Sequence, residues 1–92
     1  MEHVRYDRLT WQQRREVRLG YVRSQKGLCY HCKGDLEKPS RSPVHASKID
    51  WTKFPPNFRQ NPVHLHHNQM SGMTIGAVHA HCNAVLWQYY GE

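Results

Sequence analysis

No stretch of this 92-residue chain approaches the roughly 20 apolar residues that a membrane-spanning helix needs. The basic N-terminal stretch has no apolar segment of the secretory kind. Cysteine is scarce and odd in number, three in all. That argues against a closed disulfide framework and makes a reducing cytoplasm (a host's, if the chain is phage-encoded) the expected setting, with thiols available for a metal. Acidic side chains are also few, 7 against 13 lysines and arginines, which leaves a net charge of +6. That balance favours polyanions as partners, nucleic acid first, although it equally suits an ordinary basic domain. No repeat or low-complexity tract is present. A single domain of this size buries only about 60–65% of the surface its unfolded chain exposes. A metal cross-link is a common supplement to so small a core.

Local signals divide the chain. Thr10 followed by Gln13 forms a capping-box pattern, predicting a helix to about Gln25 that Lys26-Gly27 stops. Trp11, Leu19 and Val22 fall on one side of this helix, but Arg14, Arg15 and Arg18 intrude on the same stripe. Two readings carry equal weight: a packing helix whose arginine stems pass the core, or a basic helix laid along a phosphate backbone. Leu28 to Leu36 reads as a knuckle turning at Gly34-Asp35. Glu37 to Asn61 holds four of the five prolines and is expected to be loop, tucked down by Ile49, Trp51, Phe54 and Phe58. Lys48, Lys53 and Arg59 read as its solvated face. Pro62–His67 and Thr74–Ala77 read as strands around a loop at Asn68–Met73. A helix is expected from about Val78 to Tyr89, ended by Gly91.

The cysteines carry the chemistry. Cys29-x-x-Cys32 and His79-x-x-Cys82 are two short clips, together a Cys₃His set suited to structural zinc. His31 and His81 compete for the fourth position, but His81 adjoins Cys82 and neighbours on a helix diverge, so His79 is preferred. Between the clips stands His66-His67. One imidazole there can hold a metal while the other takes a proton from water. Asn83, next to Cys82, can face the strand that ends in this pair, and its amide oxygen is an acceptable ligand for a hard cation. His3 and His45 read as surface histidines.

Cys29-x-x-Cys32 together with HLHHNQMSGMTIGAVHAHCN, His64 to Asn83, resembles the HNH or His-Me finger endonucleases, particularly the subgroup of phage recombination endonuclease VII. The resemblance covers roughly residues 28–36 and 63–90. It implies an α+β fold: a zinc-stabilised ββα-metal domain over residues 28–92, with residues 1–27 an added basic helix. It implies that His67 is the general base, that His66 and Asn83 hold one divalent cation (Mg²⁺, Mn²⁺, Co²⁺ or Ni²⁺), and that Cys29, Cys32, His79 and Cys82 hold zinc. His66 stands where the subgroup has aspartate and His79 where it has a fourth cysteine. Gly72 and Gly76 match loop glycines, and His64 is auxiliary. Asn68 and Gln69 replace an aspartate and a histidine. Hydrolysis of DNA to a 5′ phosphate and a 3′ hydroxyl is the implied reaction, with limited sequence specificity. Two further readings remain open: a zinc-stabilised module that binds nucleic acid without cutting it, and a structural domain docking onto phage packaging or recombination proteins. Oligomeric state is left open.

Overall fold

A two-stranded antiparallel hairpin forms the centre of the fold, β1 (Val63–His67) with β2 (Thr74–His79). Helix α1 (Trp11–Ser24) precedes it and helix α2 (Ala80–Tyr90) follows directly. The structure, a computed structural model, describes residues 3–41 and 48–91, and His45 lies outside them. The α+β architecture anticipated above is thus present: an N-terminal helix, a hairpin and a C-terminal helix. Among the described residues, no helix is long and apolar enough to cross a membrane.

Strand alternation sorts the side chains of β1. Val63 and Leu65 pack on a core of Tyr21, Cys29, Leu36, Ala77, Val78 and Cys82, together with Val17 and Val22 of α1. His64 and His66 instead reach Asn83 of α2. The register pairs His66 with Gly76 and His67 with Thr74, with an irregularity between the two histidines. The skipped position is Ile75 of β2, and alternation turns His67 to the face opposite His66, against Tyr6. Asn68 closes the turn, its side-chain oxygen accepting from the backbone of Met70 and Ser71, and Gly72 supplies the left-handed residue at φ +73°.

Four local expectations need correction. Trp11 and Leu19 do not pack inward: Trp11 is 69% exposed, and the inner face of α1 is Gly20 and Tyr21 with Val17 and Val22 beside them. Tyr21 sets this rotation because its hydroxyl bonds Thr74 Oγ1 at 2.8 Å inside the core. The second strand continues to His79 and the helix starts at Ala80, since Val63–His79 pairing keeps the backbone extended. Gly76 lies inside β2, not in a loop; a Cβ there would sit 2.7 Å from Gln25 Oε1 and 3.1 Å from the Tyr30 ring. In the knuckle the sharp residue is Lys33, at φ +66°, and Asp35 already pairs with Leu28.

The outer edge of β2 is covered. Val4 and Tyr6 bond Thr74 and Gly72, and Tyr30 N–H donates to Ala77 O at 2.9 Å. Gln25 completes the edge, accepting from Ala77 N–H at 2.9 Å while its amide nitrogen donates to the carbonyls of Ala77 and Leu28. Among the described residues the other edge of β1 has no such backbone cover, and it borders a cleft. Beyond that cleft lies the loop, tucked down as expected. Trp51, Phe54 and Phe58 cluster, and the cluster meets Trp87 and His64.

Removal of Gln25 leaves the Ala77 amide without its partner. Gln25→Ala is expected to lower unfolding free energy by about 1–3 kcal/mol, and Thr10→Ala, which opens the capping box seen at the start of α1, by about 1 kcal/mol. Urea titration of the zinc-loaded proteins checks both values.

Candidate functional site

The two clips close on one another. One ligand atom from each of Cys29, Cys32, His79 and Cys82 lies within 4.8 Å of all the others, a set that could hold a metal ion. His79 Nδ1 stands 3.4 Å from Cys32 Sγ and 3.6 Å from Cys82 Sγ. A tetrahedral zinc with ordinary Zn–N and Zn–S bonds separates nitrogen and sulfur by about 3.6 Å, so the spacing fits that ion. The other ring nitrogen, Nε2, donates to Asp35 O at 2.9 Å and thereby leaves the Nδ1 lone pair aimed at the cluster. Backbone N–H groups of Cys32 and Gly34 point at the sulfurs of Cys29 and Cys32. The Cys82 thiol hydrogen-bonds Cys29 and lowers that group to about 4, while Cys82 itself is pushed up. His31 and His81 stay outside the cluster, His31 against Tyr90 and His81 edge-on to Trp51. The Cys₃His cluster suggests a structural zinc, seated where the knuckle, the end of β2 and the start of α2 meet.

Asn83, the residue after the ligand Cys82, is held by a chain of hydrogen bonds whose sense can be deduced. Phe58 offers only a carbonyl, so His64 Nε2–H donates to it at 2.8 Å. His64 Nδ1 then accepts from Asn83 Nδ2 at 3.1 Å, and Asn83 Oδ1 accepts from His66 Nδ1 at 3.2 Å. His66 is buried, 3% exposed. Burial holds His64 below the usual histidine value, partly offset by the Phe58 carbonyl.

His67 occupies different ground. Its ring stacks on Tyr6 at 3.9 Å and 8°, and the Arg14 guanidinium lies 3.9 Å from the centre of the same Tyr6 ring. Two groups that close cannot share one face, so Tyr6 is sandwiched between imidazole and guanidinium. Burial first, then the neighbouring His66 and Arg14 charges, keep the His67 imidazole below its ordinary value, with Asp7 opposing.

His67, His64 and Asn83 all line one cleft of about 1060 Å³ along the free edge of β1, whereas His66 opens on a smaller hollow with Tyr30, His31 and Tyr90. Arg14, Arg15, Arg18 and Lys53 line the same cleft, and none of its described lining residues is acidic. The arginines' helix, α1, packs on the core through Tyr21, and the arginines themselves line the cleft. Lys53 belongs to the cleft too, while Arg59 stacks over Trp51. Gln69 lines the cleft. Asn68 serves the turn, where its oxygen does what an aspartate oxygen would. His3 is at the surface as expected, bonded to Thr74 O and Tyr21.

Sequence reasoning did not single out Tyr6. Its only local signal is an aromatic set among Arg5, Asp7 and Arg8, and its partners lie far off in the chain. Comparison with protein-family models, with curated proteins and with solved structures finds no match to this chain.

Chelation is expected to unfold the domain cooperatively, because metal-binding free energy is folding free energy here. The purified chain should carry one zinc per molecule, and His79→Ala should lose it. Metal analysis alongside thermal melts tests both, and stoichiometric zinc in His79→Ala would remove His79 from the set.

Proposed function

We propose that this chain is a metal-dependent DNA endonuclease of the HNH, or His-Me finger, type. The observation that carries the reading is that His67 and Asn83 line one cation-bordered cleft, with the Asn83 amide oxygen 3.2 Å from His66 Nδ1. Neighbouring ligands on a small octahedral cation are about 3 Å apart, so this pair fits one ion once His66 gives up its Nδ1–H bond to Asn83 and takes the Nε2–H tautomer. The hairpin followed directly by a helix, with a Cys₃His cluster at the join, is consistent with a ββα-metal unit.

Each residue then has a role in hydrolysis. Arg14, Arg15, Arg18 and Lys53 draw the phosphate backbone into the cleft. His67, neutral at pH 7 in its half-buried stack, takes a proton from water through a ring nitrogen as that water attacks phosphorus. Tyr6 and Arg14 hold the imidazole plane. His64 fixes the Asn83 amide so that its oxygen faces His66. An ion held by His66 and Asn83 would supply Lewis-acid stabilisation of charge on the leaving oxygen. The absence of acidic residues from the described lining argues for one ion only.

Two measurements test the proposal. Wild-type protein with Mn²⁺ or Ni²⁺ should nick supercoiled plasmid or cut single-stranded DNA, and His67→Ala should be slower by roughly 10²–10⁴-fold. Cleavage at equal rates by both proteins, or by neither, refutes the assignment. An imidazole nitrogen in the donor pair suits Mn²⁺, Co²⁺ or Ni²⁺ better than Mg²⁺, so activity should appear at lower concentrations of those ions. Equal or higher activity in Mg²⁺ across a titration would exclude His66 as a ligand.

A further inference from the structure

The cleft is more than a basic groove, because its walls also carry exposed indoles. Trp11 opens α1 and is 69% exposed; Trp87 stands near the end of α2 and is 43% exposed. Both line the cleft with Arg14, Arg15, Arg18 and Lys53. On α1 the spacing is helical: Arg14 and Arg15 follow Trp11 by three and four residues and so share its side. On the other wall, Phe54 meets Trp87 edge-on at 5.2 Å, which fixes the indole while leaving much of it in solvent. The remaining aromatics of the cleft are already engaged. Both faces of Tyr6 are covered by His67 and Arg14, and Phe54 and Phe58 pack on one another at 4.7 Å.

A continuous duplex has no use for such indoles. Its phosphates call for cations alone, and its base faces are covered by neighbouring bases. An unpaired base presents a free π face, and cations interleaved with aromatic platforms are the chemistry that binds single strands. We infer that the cleft binds nucleic acid through unpaired bases, with Trp11 and Trp87 as stacking platforms and the four cations following the backbone. The inference rests on the nucleic-acid reading above and names the substrate class of that same cleft.

Fluorescence anisotropy of zinc-loaded protein, with no other divalent ion added, tests it using a 12-nucleotide oligothymidylate and a 12-base-pair duplex. The single strand should bind at least about tenfold more tightly than the duplex. Trp11→Ala and Trp87→Ala should each weaken single-strand binding by roughly 5- to 150-fold. Duplex binding should change little, and Trp11→Phe and Trp87→Phe should retain most of the single-strand affinity. Equal or tighter duplex binding overturns the inference, as does equal weakening of both ligands by the alanine variants. The nuclease reading fails separately. Tryptophan-dependent single-strand binding without cleavage in Mn²⁺ upholds this inference and removes the catalytic one. Plasmid nicking with duplex preferred does the reverse, and binding to neither ligand overturns both.

Discussion

Everything in this small domain depends on the meeting of three thiols and one imidazole. The core cluster contains Cys29 and Cys82, so the candidate metal site is part of the hydrophobic core and not an attachment to it. A cation held there would tie the knuckle to the end of β2 and to the first turn of α2. That turn carries Asn83, so the order of the cleft follows from the order of the cluster. The coupling is chemical as well as mechanical, because the Asp35 carbonyl that holds His79 in its ligand tautomer belongs to the knuckle itself.

From that joint the site is built outward. Cys82 and Asn83 diverge on the helix, one toward the cluster and the other toward β1. Asn83 is gripped between His64 and His66, which alternation places on one face of the strand. The same alternation turns His67 to the other face, where it joins Tyr6 and the cleft. One hairpin thus presents adjacent histidines to two environments: His66 buried against an amide oxygen, His67 stacked at the border of a basic groove. The division of labour proposed for them, ligand and base, follows this difference in surroundings.

Much of this was legible in the chain because it is local. The capping box at Thr10 and Gln13, the glycine stops and the two metal clips each declare themselves within four residues. The alternation of Val63 and Leu65 against His64 and His66 was equally clear. What escaped is long-range. Trp11 and Leu19 looked like the inner face of α1 because they are apolar, yet Tyr21 turns that helix by bonding Thr74 53 residues away. The boundary between β2 and α2 moved by two residues because cross-strand pairing with Val63 outweighed the helical pattern. Gly76 matched a loop glycine by position, but close approach by Gln25 and Tyr30 is what requires it within the strand. Tyr6 and the three-way bonding of Gln25 left no periodic trace at all.

The Cys₃His cluster is the joint on which the rest of the domain hangs. X-ray absorption at the zinc edge of the purified protein measures it most directly. The predicted spectrum fits one zinc with three sulfur neighbours at about 2.3 Å and one nitrogen at about 2.0–2.1 Å. A shell with fewer sulfurs, or one built mainly from oxygen and nitrogen, would contradict the account.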